Sequence, residues 1–270
     1  MKMECIRVEI LDGGIAKVYL NRPRVMNAIN ASLRHELEEV LKELAEDDGI
    51  RVVIITGAEV EGKRKAFSSG DDLRELEFDI NSPDVLSEYH KSVDNVMRLF
   101  NFIDDYPKPV IAMVNGICMG GGLELALCCD FIFACESALF AFPEAGIGFI
   151  PGWGGTQRLS KRVGESKAKM LIYTGDVVDG KRAAELGLVD ILTTDSELEQ
   201  KTVDFARKIA EKSPLVIKMA KIAIERGMES SLRSGLYYEL LSLMVSLKTE
   251  DLREGFSAFL ERRKPEFMGR

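Results

Sequence analysis

Asn115-Gly116-Ile117-Cys118-Met119-Gly120-Gly121-Gly122-Leu123-Glu124 joins an expected strand to an expected helix and sets a carboxylate just beyond three glycines. The strand is Pro109-Val110-Ile111-Ala112-Met113-Val114, a short apolar run whose proline suits the start of a strand and not its middle. The helix is announced by Leu123-Glu124-Leu125-Ala126-Leu127, good helix formers beside the glycines. Glycines between two such elements let the backbone approach a ligand closely. The first turn of the helix leaves unpaired N–H donors at its positive dipole end. An oxyanion is stabilised in such a place, although glycines there also serve tight helix packing. Two nucleotide-binding readings fail. A P-loop needs Lys and then Ser or Thr after its last glycine, where this chain has Leu123-Glu124, and the dinucleotide fingerprint needs a glycine spacing that Gly116 and Gly120 to Gly122 do not provide.

Toward the N-terminus, Ile6 to Ile10 and Ile15 to Leu20 flank Leu11-Asp12-Gly13-Gly14 and read as a hairpin. Leu33, Leu37, Val40, Leu41 and Leu44 recur at helical spacing, so 31–47 is expected to be an amphipathic helix. Val52-Val53-Ile54-Ile55 reads as a buried strand, a loop runs from Gly57 to Gly70, and a helix follows over about 83–104. Strands are also expected at Asp130 to Ala134 and Ala138 to Ala141. Strands alternating with helices predict a parallel α/β core. From about Gly154 helical patterns dominate, over 154–163, 166–174, 179–186, 196–212, 215–227, 231–247 and 249–263. We therefore expect a core over 1–194 carrying the active site, and a helical oligomerisation region over 195–270. Leu236, Leu240, Leu241, Leu243, Met244 and Leu247 make one helix too broadly apolar for solvent, so the core or another subunit must cover it.

The chain of 270 residues is long enough to bury a full core. A net charge of −8 disfavours nonspecific nucleic-acid binding, with Arg262-Arg263-Lys264 as a local basic exception. The five cysteines, at 5, 118, 128, 129 and 135, lack both CxxC pairing and the density of a secreted scaffold, and read as small core residues in a reducing compartment. His35 and His90 each lie in a charged helical segment, which leaves little material for a histidine metal site or a catalytic triad. Glu4, Glu9 and Asp12 do not fit a secretory or transit signal. The uncharged run from Pro109 to Leu123 falls short of the ~20 apolar residues of a membrane span. A cytoplasmic protein is expected.

With these elements placed, the chain resembles the crotonase superfamily, the enoyl-CoA hydratases and isomerases, from about Ile15 to Phe267. The resemblance rests on Ala66-Phe67-Ser68-Ser69-Gly70-Asp71-Asp72-Leu73, on Val114-Asn115-Gly116 with Gly120-Gly121-Gly122-Leu123-Glu124-Leu125-Ala126, on Phe140-Ala141-Phe142-Pro143-Glu144, and on Pro151-Gly152-Trp153-Gly154-Gly155-Thr156-Gln157-Arg158-Leu159. Thr174-Gly175-Asp176 with Ala183-Ala184-Glu185-Leu186-Gly187-Leu188-Val189 adds a fifth match in order.

The resemblance implies an α/β fold, a crotonase-like spiral of ββα units followed by a C-terminal helical trimerisation region. It implies an acyl-CoA thioester as substrate, with no metal and no redox cofactor, since coenzyme A belongs to the substrate. The thioester oxygen would be held by the backbone N–H groups of Asp71 and Gly121. Asp71 departs from the small apolar residue often found there, and its carboxylate is expected to cap a helix starting near Asp72 or to face solvent. Glu124 and Glu144 supply the two acidic groups: Glu144 for proton exchange at the α carbon, Glu124 for positioning and activating water, with the Gly152 N–H helping to hold that water. Trp153 either narrows the acyl pocket or packs under its turn. Backbone groups around Ser69 and Asp71 would meet the adenine. Phe259 and Arg262 match positions that cover it from a neighbouring subunit, and Arg24 is a second phosphate candidate.

Two carboxyl groups and an oxyanion hole supply what hydration of a conjugated thioester needs. The expectation is an enoyl-CoA hydratase acting as a homotrimer or dimer of trimers, without nucleic acid or membrane. The alternatives are an enoyl-CoA double-bond isomerase, or a noncatalytic CoA-thioester or RNA-binding scaffold.

Overall fold

The computed structural model describes residues 3–76 and 79–270. The expected hairpin is β1 (Ile6–Leu11) with β2 (Ile15–Leu20), antiparallel. Helix α1 (Ala31–Glu46) begins where the Asn30 side chain accepts the Leu33 N–H, an N-cap that satisfies one of the orphan donors. Its leucine stripe is buried as the spacing predicts.

Two ββα units follow: β3 (Val52–Gly57), β4 (Ala66–Ser68) and α2 (Val85–Asp104), then β5 (Val110–Val114), β6 (Ile117–Met119) and α3 (Gly121–Leu127). The third unit has β7 (Phe131–Cys135), β8 (Leu139–Ala141), a 3-10 turn at Pro143–Ile147, α4 (Gly155–Val163) and α5 (Glu165–Thr174). Then come β9 (Val178–Asp179), α6 (Gly180–Leu186), β10 (Ile191–Thr193), and four helices: α7 (Leu198–Ala210), α8 (Pro214–Met228), α9 (Leu232–Ser246) and α10 (Glu250–Glu261).

Each ββα unit sends its first strand to a six-stranded sheet, order β1-β2-β3-β5-β7-β10, and its second to a four-stranded sheet, order β4-β6-β8-β9. All neighbours are parallel except β1/β2 and β8/β9. β3 and β5 are buried along their whole length, as expected of parallel strands covered on both faces. The spiral has a consequence for chemistry. Asp71, Gly121 and Glu144 follow the ends of β4, β6 and β8, three adjacent strands of the small sheet.

The short strands β4, β6, β9 and β10 escaped the sequence reading, because two or three residues carry no periodicity. Among the described residues no helix starts near Asp72, so Asp71 does not act as the expected N-cap. Asp71 instead forms a parallel bridge with Ile29, and the Asp72 carboxylate accepts from Arg22 at 2.8 Å.

The division at 194/195 groups α7 with the C-terminal helices, but its Leu198, Val203 and Ala206 are buried in the same cluster as the sheet. Packing places α7 with the core. Helix α8 is fastened to that core where Lys221 donates to Asp130 at 3.0 Å. On α9, Leu236, Leu240, Leu241 and Met244 remain about half exposed in the single chain.

Candidate active site

The site is built first from backbone. After β4 the chain passes Gly70 at φ +96°, with the Gly70 N–H donating to Ser68 Oγ at 3.1 Å. The bridge to Ile29 takes up the Gly70 carbonyl (2.8 Å) and the Asp72 N–H (2.9 Å). By the alternation of an extended chain, the Asp71 N–H points away from Ile29, toward β6. A methyl group on Gly70 would lie 2.8 Å from the Met119 carbonyl oxygen and 3.0 Å from the Gly121 nitrogen, so the two chains touch here. Gly121 opens α3, where N–H groups have no intrahelical partner. Two backbone donors from adjoining strands thus stand side by side.

The carboxylates come next. Glu124 sits one turn into α3 and is 2% exposed. Its Oε1 accepts the Trp153 N–H at 2.7 Å and the Gly155 N–H at 2.8 Å. Burial pushes its carboxyl up to about 7, against the pull of these two donors. Glu144, on the 3-10 turn after β8, is half-buried, and its Oε2 is buried with no hydrogen-bond partner among the described residues. Burial raises its pKa as well.

Both glutamates line one cleft of about 360 Å³ with Asp71, Gly121, Gly152 and Trp153. Leu73, Ile147, Phe149 and Ile150 give the cleft its apolar wall. Trp153 borders the cleft, and its ring packs under the turn, edge-on to Phe100 at 5.7 Å and so close to Gly121 that a methyl there would lie 2.2 Å from Cζ3. Gly152 lies in the turn before α4, two residues ahead of the N-cap Gly154, and borders the cleft.

Sequence reasoning missed three contributors. The N–H groups of Trp153 and Gly155 hold Glu124. The glycine-rich turn before α4 was the available signal. Tyr89 on α2 brings its hydroxyl into the cleft, where a methyl on Gly152 would meet it at 2.5 Å. Burial raises its pKa, reinforced by Glu124 and Asp71. Nothing in an amphipathic helix singles out that tyrosine.

Arg24 is exposed on the 3-10 turn Pro23–Val25, in a segment tied to the site, since the Ser69 N–H donates to the Met26 carbonyl at 3.0 Å. That bond engages the Ser69 donor within the chain. Phe259, 80% exposed on α10, and Arg262, which ends that helix at φ +56°, do not reach the cleft of their own chain.

The raised pKa of Glu124 makes a stability prediction. The unfolded chain ionises this carboxyl near 4.5 and the folded one near 7, so over that interval the native state holds more protons and stability falls as pH rises. Glu124→Gln removes the cost of ionising a buried group while its carbonyl still accepts both N–H groups. We expect the variant to be more stable than wild type at pH 8, by on the order of 3 kcal/mol, with the difference vanishing toward pH 5. Urea unfolding at the two pH values measures this. A variant less stable at pH 8 would refute a strained, ionised Glu124.

Residues 11–270 match the family model described as Enoyl-CoA hydratase/isomerase. The chain is 43% identical to the probable enoyl-CoA hydratase 2, mitochondrial, of Arabidopsis thaliana over 96% of this chain and 83% of that protein. It is 37% identical to the short-chain-enoyl-CoA hydratase of Clostridium acetobutylicum over 94% of each. The crystal structure of an enoyl-CoA hydratase from Bacillus anthracis superposes with a TM-score of 0.92 at 37% identity, covering 98% of this chain and all of that one.

Proposed function

This chain belongs to the enoyl-CoA hydratase/isomerase family, and we propose that within it the protein adds water reversibly to a 2-enoyl-CoA thioester. The observation that carries the reading is the pairing of Glu124 and Glu144, both desolvated, in one cleft with the backbone of Asp71 and Gly121.

In this mechanism the thioester oxygen accepts from the Asp71 and Gly121 N–H groups. Ionised Glu124 takes a proton from water as its oxygen bonds to the β carbon. The electron pair of the double bond moves toward the thioester, and the N–H pair holds the resulting enolate. Protonated Glu144 then delivers its proton to the α carbon. One water has been added, Glu124 carries a proton and Glu144 is ionised. Exchange between the two through solvent resets the pair. The Asp71 side chain takes no part. No metal or redox cofactor enters the scheme.

Trp153 closes the inner end of the acyl cleft, and the Gly152 backbone borders the place where water would sit. For coenzyme A we assign Arg24 to a phosphate, and the backbone around Ser69 and Asp71 to the adenine. Phe259 and Arg262 would cover it from a second subunit. The half-exposed leucines of α9 support assembly as a homotrimer or a dimer of trimers, because so broad an apolar surface calls for a partner. The acidic balance speaks against an RNA-binding role, which filter binding at moderate salt would test. Five free thiols, four of them buried, suit a reducing compartment, the cytoplasm in our reading, whereas the name of the Arabidopsis thaliana relative places that protein in mitochondria. Among the described residues, no helix is long and apolar enough to cross a membrane.

The test is loss of the conjugated enoyl-thioester absorbance when the purified protein meets crotonyl-CoA. Loss that Glu124→Gln and Glu144→Gln both slow sharply supports hydration. Binding without loss would move the assignment to the isomerase or another enolate reaction.

A further inference from the structure

We propose that Arg158 is a positioning residue for Glu124, clamping the turn whose N–H groups hold that carboxylate and setting the charge it feels. The proposal rests on the reading of Glu124 as the base. Arg158 lies on α4 with its side chain 13% exposed, and its guanidinium is bonded on every nitrogen. Nη1 donates to the Trp153 carbonyl at 2.9 Å, Nε to Asp104 Oδ2 at 2.8 Å, and Nη2 to Asn101 Oδ1 at 2.9 Å and to Asp104.

The Trp153 carbonyl sits between the two N–H groups, of Trp153 and Gly155, that bind Glu124 Oε1. Fixing that carbonyl fixes the orientation of the turn, and so the aim of both donors. Gly154, at φ +104°, is what lets the guanidinium in, because a methyl there would lie 1.9 Å from Nη1. Asp104 and Asn101, from the last turn of α2, hold the planar fork at its other edge, a geometry lysine cannot reproduce.

The alternative is that Arg158 only clasps α2 to α4. The two differ electrostatically. The groups that face Glu124 are Tyr89 from α2, Glu144 from the 3-10 turn, Cys128 on its own helix, the N–H groups of Trp153 and Gly155, and Arg158 from α4. Arg158 is the cation of that set, and its charge favours the ionised base in a place where burial opposes ionisation. Asp104 moderates it. A clasp would not need its charge to be felt at Glu124.

The experiment compares Arg158→Lys, Arg158→Met and Asp104→Asn by the pH dependence of kcat for crotonyl-CoA hydration. A base must be ionised to act, so the acid limb follows the pKa of Glu124. Arg158→Met should lower kcat by about 10²-fold, with KM little changed, and move the limb to higher pH by about half a unit or more. Arg158→Lys keeps the charge and loses the fork, so kcat should fall while the limb stays near its wild-type position. Asp104→Asn should move the limb the other way, to lower pH. A limb unmoved in Arg158→Met would overturn the electrostatic half of the proposal, and wild-type kcat in Arg158→Lys the clamping half. Should Arg158→Met not fold, Asp104→Asn decides, and an unmoved or raised limb counts against us. If the wild-type protein leaves crotonyl-CoA unhydrated, the reading of the reaction fails by itself. Infrared titration of the Glu124 carboxyl, assigned by its absence in Glu124→Gln, would then still show whether Arg158→Met raises its pKa.

Discussion

Glu144→Gln lowers the turnover of crotonyl-CoA hydration by about 10²- to 10⁴-fold, the range expected when an acid or base is lost. The substitution preserves shape and removes only the proton that can be given. Glu144 is well placed to give one, since its Oε2 is buried without a partner among the described residues and burial raises its pKa. An amide there offers an N–H that carbon cannot take, so the enolate forms and reverts unprotonated. KM should change little, because the thioester oxygen is held elsewhere. The check has two readouts: steady-state loss of enoyl absorbance, and incorporation of deuterium at the α carbon in heavy water, which should fall in parallel. Wild-type turnover would take Glu144 out of the mechanism. A loss of hydration with deuterium exchange intact would reassign it to the water.

Gly70→Ala produces a loss of similar size without touching an ionisable group. Its φ of +96° is a conformation that side chains resist, at a cost of about 1–3 kcal/mol. The added methyl meets the Met119 carbonyl oxygen at 2.8 Å and the Gly121 nitrogen at 3.0 Å. Both neighbours are backbone, so neither can swing aside, and β4 must draw away from the β6–α3 turn. The Asp71 and Gly121 N–H groups then no longer converge on one oxygen. Losing a single oxyanion donor costs about 2.7–4 kcal/mol in the transition state, or 10²- to 10³-fold in kcat. Circular dichroism and gel filtration would establish that the variant folds, and crotonyl-CoA kinetics would give the loss. Full turnover in a folded Gly70→Ala protein would mean that the thioester oxygen is held elsewhere.

Much of this arrangement could be read from the chain, and the limits have physical reasons. The helices of more than ten residues and the buried strands β3 and β5 announced themselves, because periodicity accumulates with length. Of the three-residue strands of the small sheet only β8 did, although the chain runs from β4, β6 and β8 directly to Asp71, Gly121 and Glu144. Those residues were reached through resemblance of motifs, since glycines and a lone carboxylate carry little meaning by themselves. The cap expected of Asp71 was overruled by a distant partner: Ile29 bridges that segment, and Arg22 takes the Asp72 carboxylate. Donors to Glu124 from residues 153 and 155, and a guanidinium reaching across Gly154, are tertiary facts that no local pattern encodes.

The placing of successive strands in alternate sheets has one more consequence. The two donors lie just beyond the ends of neighbouring strands of the small sheet, so their separation follows the interstrand repeat of about 4.8 Å. That repeat is set by backbone hydrogen bonds, so a side chain outside the contact between the two segments leaves it unchanged, whereas one driven into that contact, as at Gly70, forces them apart. Position 71 is therefore permissive and position 70 is not, though they are adjacent. A designer seeking a different acyl preference can vary the side chain at 71, beside the cleft, with any residue that keeps its N–H, and has no such freedom at the glycine before it.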